Sequence, residues 1–374
     1  MLFNTTLRKK ISDTVRLWCQ RGKIRHMLES SHPDGRKVWK SVRHDMMQLI
    51  WHYGISFHHI PEQYFAVNLQ RVGHDLDRYV LWKEWVRVKN ILDEEAEDEI
   101  EMLGNKDHAW HYLHDRGFSV PRRLGILVMR GGVPVCTRIG GSEQLLEHLL
   151  DETGGVFAKP KDGYGGKGCL KLLPCSPNAC IVNGTRFEYH EMRAVLSESL
   201  LVEELIRQHS ILSSFHSQSI NTLRLITMKT PGNGVELMSS ILRMGANGAS
   251  IDNLSNGGLA VCVDAEGCLK KNAFHIDRRL PCRKEHPDTH IPFEGCKIPF
   301  FHEAVKQVTE AHRTCKTIFI IGWDVAITQE GPVIIESNPS PGLFCHPMAR
   351  EGLRSILETR LKPLALEILG QKMK

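Results

Sequence analysis

Two carboxylates and an amide gathered on one face of a β-hairpin constrain this chain more than any other feature. The segment Gly322-Trp323-Asp324-Val325-Ala326-Ile327-Thr328-Gln329-Glu330-Gly331-Pro332-Val333-Ile334-Ile335-Glu336-Ser337-Asn338 reads as two apolar strands around a short turn. With Gln329-Glu330-Gly331 as a three-residue loop, Thr328 faces Pro332, and the ladder pairs Ala326 with Ile334 and Asp324 with Glu336. Strand side chains alternate, so Asn338 shares the face of Glu336. Like charges opposed across a ladder destabilise it unless something compensates. A hard cation does so most simply: Mg²⁺ takes oxygen ligands, keeps waters and shares its shell with phosphates. Asp324, Glu336 and Asn338 are therefore the expected metal ligands. The plainer reading is a solvated hairpin end. Against it stand Val325, Ile327, Val333 and Ile335, whose apolar face asks for cover on both sides.

A second motif lies upstream. Lys159-Pro160-Lys161-Asp162-Gly163-Tyr164-Gly165-Gly166-Lys167-Gly168 follows the strand-like Val156 to Pro160. It contains G-x-G-x-x-G, but a dinucleotide fingerprint needs a helix to open out of the loop. Here Cys169 to Leu173 reads as another short strand, stopped by Pro174, and no Gly-Lys-Ser/Thr completes a P-loop. Strand, glycine loop and strand make a flap. Its bare backbone amides at Gly163, Gly165 and Gly166 can close over phosphates, and Lys159 can reach a phosphate oxygen. An ordinary glycine-rich turn is the alternative.

Two further strands carry charge. Leu200 to Ile206 is apolar and exits through Glu203-Glu204. It suits an adenine edge with an acid near the ribose, and equally a strand with solvated acids at its end. Ser219 to Leu225 puts Arg224 in an apolar strand, where a buried charge needs a partner: a phosphate, the metal carboxylates, or a structural ion pair.

The rest of the chain frames these motifs. Residues 1–103 are helical in periodicity, with Ile11, Val15, Trp18 and Cys19 in one segment, Val42, Met46, Leu49 and Ile50 in another, and Phe65 to Val86 in a third. Their basic polar faces are solvated or serve a second copy or a partner protein. Asn105-Lys106-Asp107 starts a helix that ends near Gly117, and Ser142 is the expected N-cap of a helix over Glu143 to Leu150. Strands are expected over Leu124 to Met129, Val182 to Phe187, Thr222 to Lys229, Val235 to Met244, Gly258 to Val263 and Ile318 to Ile321. Helices are expected near Phe301 to Arg313 and Gly352 to Leu369. The net charge of +5 comes without long like-charge blocks, which speaks against nucleic-acid binding. Eleven cysteines without a C-x-x-C pair read as reduced thiols, and Met1 to Gln20 lacks an apolar core and cleavage site. With no apolar run of spanning length, a cytoplasmic chain is the expectation.

Taken together the motifs resemble the ATP-grasp superfamily, and within it the sugar-transfer-associated ATP-grasp proteins. The resemblance rests on Asn105-Lys106, the Lys159 flap, Val202-Glu203-Glu204, Ser219 to Arg224, Asn253 to Gly258, His286-Pro287-Asp288-Thr289, Gly322 to Ala326 and Glu336-Ser337-Asn338. It implies an α+β fold in which two α+β subdomains hold ATP between them, here behind a helical N-terminal region. The expected division is a helical region over 1–103, a first subdomain with the flap over 104–206, and a second with the hairpin over 207–374.

The resemblance implies Lys106 and Lys159 on the phosphates, Glu203, Glu204, Leu205 and Ile206 at adenine, and Asp324, Glu336 and Asn338 on two Mg²⁺ ions. It implies peptide-bond-forming ligation of a small-molecule carboxylate to an amine through an acyl phosphate, on an amino acid or small peptide in a biosynthetic pathway, with release of ADP and phosphate. A small-molecule kinase and a nucleotide-binding module without turnover are the alternatives. D-alanine–D-alanine ligases carry an arginine two residues before the first metal aspartate. This chain has Gly322 there, so Arg224, with Arg243 behind it, is the candidate for steadying the acyl intermediate. Cys345-His346 and the tail beyond find no counterpart.

Overall fold

The computed structural model describes residues 2–19, 22, 43–44, 46–47, 50–51, 82–162, 166–196, 198–230, 234–249, 251–252, 254, 257–275, 283–341 and 356–372. Expectations for Phe65 to Leu81, Gly163, Gly165, Asn253, Ser255, Asn256 and Cys345-His346 lie outside these residues. The chain divides into two compact units: Met1–Leu92 with Phe274–Cys282 and Gly342–Lys374, and Asp93–Ala273 with Arg283–Pro341. In the first, a helix over Leu2–Cys19 meets Trp51, whose indole Nε1 donates to Thr14 Oγ1 at 3.1 Å. A helix over Trp82–Leu92 packs on one over Lys362–Lys372, which continues a π-helical turn at Leu357–Leu361. No helix among the described residues is long and apolar enough to cross a membrane.

The second unit holds two sheets. The first runs β3-β2-β1-β8-β4-β5-β6-β7, with β1 Arg123–Arg130, β2 Val133–Arg138, β3 Glu143–Leu145, β4 Val156–Pro160, β5 Leu170–Ser176, β6 Ala179–Val182, β7 Thr185–Glu188 and β8 Leu200–Glu204. Leu124, Leu127, Val156, Ala158, Leu172, Leu200 and Val202 lie in its core with Leu146, Leu149 and Leu150. The second sheet runs β12-β11-β10-β9-β13-β14, with β9 Leu223–Thr230, β10 Gly234–Met244, β11 Leu259–Val263, β12 Leu269–His275, β13 Ile320–Ile327 and β14 Pro332–Asn338. Helices α1 Glu97–Gly104 and α2 Lys106–His114 pack on β14. Helix α3 Leu146–Thr153 covers the first sheet, α4 is Ser210–Phe215, and α5 Phe301–Thr314 covers the second sheet.

Three local expectations are corrected. Glu143 to Leu145 pairs with β2 instead of opening a helix; α3 begins one residue later, behind Leu145 and not Ser142, and ends on Gly154 in the left-handed region at φ 71°. Pro174 does not stop β5. The strand runs to Ser176: Pro174 still pairs with Cys180, and a bulge at Cys175 follows it before Ser176 meets Ala179. Val182 to Phe187 is two strands, since Asn183 (φ 50°) and Gly184 (φ 89°) form a tight turn between β6 and β7.

Candidate active site

The hairpin of β13 and β14 pairs Asp324 with Glu336, as its sequence suggests, but the ladder reaches that register differently. Ile327 faces Pro332, Ala326 faces Val333 and Val325 faces Ile334. The turn therefore holds Thr328 to Gly331, closed by Thr328 N–H to Gly331 O at 2.9 Å. A bulge at Ile335 then shifts the strand by one residue, so that Asp324 meets Glu336 and Gly322 meets Asn338.

Asp324 also lies opposite Arg224 on β9, and side chains paired across strands are close enough to bond. Arg224 Nε and Nη2 grip both Asp324 oxygens, the second at 2.9 Å, and Arg243 Nη2 reaches Asp324 Oδ2 at 3.0 Å. Arg243 in turn donates to Thr222 Oγ1 at 2.6 Å and lies 3.5 Å from Asp252. The Thr222 amide and hydroxyl both donate to Asp252. Burial alone pushes Asp324 upward, but the two guanidiniums outweigh it and hold the carboxyl below its usual range. Glu336 moves the other way: burial, then the neighbouring Asp324, raise it, although Lys106, Lys159 and Arg224 act against the rise.

Lysine 106 opens α2. Asn105 caps that helix, its side-chain oxygen accepting from the amides of Asp107 and His108 at 3.0 and 3.1 Å. The cap delivers Lys106 Nζ to 3.7 Å from Glu336. Lys159, in β4, is 4% exposed and sits 2.8 Å from Glu203, which β8 presents beside it and which is 2% exposed. Arg123 lies 3.3 Å from the other Glu203 oxygen, bonds Asp107 at 2.6 Å, and stacks on Trp110 at 4.9 Å. Glu204 points outward to Arg122, and Leu205 and Ile206 are half-buried beyond the strand.

Lys106, Lys159, Glu336 and Trp110 line one narrow cleft with Leu103, Leu113 and Ile335. Gly166 lies in the left-handed region at φ 73°, and a Cβ added there would stand 3.0 Å from Ile251. Gly322 is crowded too: a Cβ there would stand 2.8 Å from that of Pro341, and Arg224 Cδ passes 3.7 Å away.

The structure thus brings together Asp324, Glu336, Arg224, Arg243, Lys106 and Lys159, with Asn338 two residues past Glu336. Sequence reasoning missed Arg123, Asp107, Thr222 and Asp252. A charged residue on the inward face at the start of β1 is a usable signal for Arg123; nothing marks Asp252, whose link to Arg243 is purely tertiary.

Residues 91–360 match the model of the family described as sugar-transfer associated ATP-grasp. The chain belongs to that family. This ATP-grasp protein also matches solved structures at low identity. D-alanine–D-alanine ligase from Bacillus anthracis, complexed with ATP, matches at 11% identity over 72% of this chain and 68% of that one, with a TM-score of 0.41. N5-carboxyaminoimidazole synthetase from Staphylococcus aureus, complexed with ADP, matches at 11% over 67% and 50%, with a TM-score of 0.38. A putative ATP-grasp superfamily protein from Archaeoglobus fulgidus matches at 11% over 70% and 54%, with a TM-score of 0.35. The chain spans about half the length of the two N5-carboxyaminoimidazole (ribonucleotide) synthetase structures it matches, 50% and 46%. No curated protein sequence matches it.

Proposed function

We propose that this ATP-grasp protein cleaves ATP to join a small-molecule carboxylate to an amine. One observation carries the reading. Two carboxylates, Asp324 and Glu336, are paired across the hairpin: Lys106 and Lys159 line the cleft beside Glu336, and Arg224 and Arg243 hold Asp324. Such a set suits phosphates bridged to acids by a hard cation. The donor chemistry fits Mg²⁺, since two paired carboxylates and a nearby amide oxygen are the hard oxygen donors that ion takes. Asp324, Glu336 and Asn338 would hold it; Asp324 keeps lone pairs for this beyond those that its arginines use. When bound, Mg²⁺ neutralises charge on the phosphate oxygens.

The chain's own residues then act in order. Lys106 and Lys159 bind phosphate oxygens, Lys159 turning from Glu203, while Arg123 keeps Glu203 paired. The flap at Gly166 covers the phosphates, with Gly163 and Gly165 expected beside it, and the strand end from Glu203 to Ile206 faces adenine. A substrate carboxylate oxygen bonds to the γ-phosphorus as the β–γ bridging bond breaks, which releases ADP and leaves an acyl phosphate. Arg224 and Arg243 stabilise the carbonyl oxygen as charge grows on it. The amine nitrogen bonds to the acyl carbon, phosphate leaves, and the nitrogen gives its proton to water.

The test is incubation with ATP, Mg²⁺ and pooled amino acids, with and without hydroxylamine. Expected are ADP and, with hydroxylamine present, a hydroxamate. ADP with a stable phosphorylated acceptor would make the protein a kinase, and nucleotide binding without ADP a binding module; either overturns the ligase reading.

A further inference from the structure

A second cluster of donors lies apart from the phosphate cleft. His216 follows α4, and His286 and Asp288 lie in the His286-Pro287-Asp288-Thr289 segment. One ligand atom from each can be chosen so that all three lie within 4.8 Å of one another. Among the described residues this is the one group of three or more histidine, cysteine or acidic side chains with such spacing.

The hydrogen bonds fix the chemistry of both rings. His216 Nε2 lies 2.8 Å from Ala249 O, and His286 Nε2 lies 2.9 Å from Gly245 O. A carbonyl only accepts, so each Nε2 carries a proton. In the neutral ring each Nδ1 is then a lone-pair donor. Both rings are buried, at 5% and 0% exposure. Metal-binding histidines have this arrangement: one nitrogen anchored on a carbonyl, the other offered to the ion.

The remaining contacts set a carboxylate oxygen against a ring nitrogen. Asp288 Oδ2 is 3.5 Å from His216 Nδ1. It accepts from the Asn247 amide at 2.8 Å, and the Asp288 amide reaches His286 Nδ1 at a long 3.3 Å. A carboxylate facing a lone pair repels it, unless a proton or a cation lies between. Asp288 is exposed, so the cluster opens to solvent on one side and leaves room for a water ligand.

We propose that His216, His286 and Asp288 bind a divalent transition-metal ion of the zinc class, with water completing the shell. Two imidazoles and a carboxylate are the set that such ions take with an open position. Donors around tetrahedral zinc stand about 3.3 Å apart, so the side chains close in by on the order of 1 Å. The ion replaces the long Asp288 amide contact at His286 Nδ1. It ties the loop after β10, which both ring N–H groups already hold, to the segment around Asp288. Gly245 fits beneath this clip because a Cβ there would lie 2.6 Å from His216 Cδ2.

The test titrates metal-stripped full-length protein with Co²⁺, and then with Zn²⁺ as competitor. Glu336→Gln serves as the control that disables the phosphate-side carboxylates. Expected is one Co²⁺ per chain with nitrogen–oxygen ligand-field absorption, displaced by Zn²⁺ and retained in Glu336→Gln. Affinity should fall about 100-fold or more in His216→Gln and Asp288→Asn, and the rise in Tm with Zn²⁺ should vanish with it. No Co²⁺ spectrum in the wild type, a spectrum that disappears in Glu336→Gln, or undiminished affinity in Asp288→Asn overturns the proposal. Asp288 is exposed, so its variant remains informative if the histidine variants do not fold.

Discussion

Opposite faces of the same two strands, β9 and β13, solve the problem of buried polarity in opposite ways. On one face Trp323 Nε1–H donates to Thr227 Oγ1 at 2.8 Å, the Thr227 hydroxyl donates to His312 Nδ1 at 2.7 Å, and His312 Nε2–H reaches Ile318 O at 3.2 Å. Trp323, Thr227 and His312 are fully buried, and every group in this chain is neutral with a partner. On the other face Asp324 is clasped by two guanidiniums and set against a second carboxylate. A neutral, satisfied chain rigidifies a core; a charged cluster costs desolvation and persists where function uses it. The contrast sets the charged cluster, and with it the proposed site, on the Asp324 face.

The largest expected effect comes from Glu336→Gln. Glu336 is raised by burial and by Asp324, so its folded pKa exceeds the ordinary 4.5. The folded state then holds a proton that the unfolded state has lost. The stability contribution therefore falls as pH rises from about 4.5 through the raised value, and stays low above it. Removing the charge should leave Tm at pH 8 unchanged or higher, while ADP formation drops about 1000-fold or more. A variant that loses stability and keeps turnover would make Glu336 an ordinary structural ion-pair partner.

Next comes Arg224→Met, which leaves Asp324 with Arg243 alone. We expect a loss of about 3–5 kcal/mol in urea unfolding, and recovery of most of it in Arg224→Met/Asp324→Leu, where no carboxylate is stranded. If the double variant is as unstable as the single one, the pair is not what holds this face together.

The two faces were not equally legible in sequence. Alternation along β9, β13 and β14 gave the strands, and the opposed Asp324 and Glu336 followed from counting across the turn. That count succeeded through two offsetting features, a four-residue turn and the bulge at Ile335, and no residue type announces either. Asn105 carried its cap signal plainly. Asn183-Gly184 carried an equally plain turn signal, which the reading of Val182 to Phe187 as one strand passed over. The partners were hidden. Glu203 looked like a strand-end acid, yet Lys159 and Arg123 fold onto it from other strands, and pairing between distant strands leaves no local trace.

The neutral face makes a pH prediction of the opposite sign. Burial foremost, with Lys229 acting alongside it, lowers His312 from 6.5 to about 4. A depressed histidine stabilises the fold above pH 6.5, and that contribution disappears as pH falls from 6.5 toward 4, when the unfolded ring takes up a proton first. The loss amounts to about 3 kcal/mol. His312→Gln should start less stable at pH 8 and lose less between these limits. Parallel urea midpoints for both proteins across the window would assign the acid lability elsewhere.

The smallest effect tests whether the charged face depends on its helix. Asn105 caps α2, and its Nδ2 also donates to Asp162 at 3.0 Å, at the root of the flap. Asn105→Ala removes both contacts and should cost about 1 kcal/mol by thermal unfolding. Asn105→Asp keeps the cap oxygen but sets a carboxylate against Asp162. If the cap alone matters for Lys106, the aspartate variant should bind ATP as the wild type does while alanine weakens binding several-fold. If the tie to Asp162 matters more, both variants should weaken it alike, because the repelled flap root moves Lys161, whose carbonyl accepts the Lys106 amide at 3.1 Å. Equal and unchanged affinities in both would separate α2 from the phosphate cleft, and leave the acids of the hairpin to act without it.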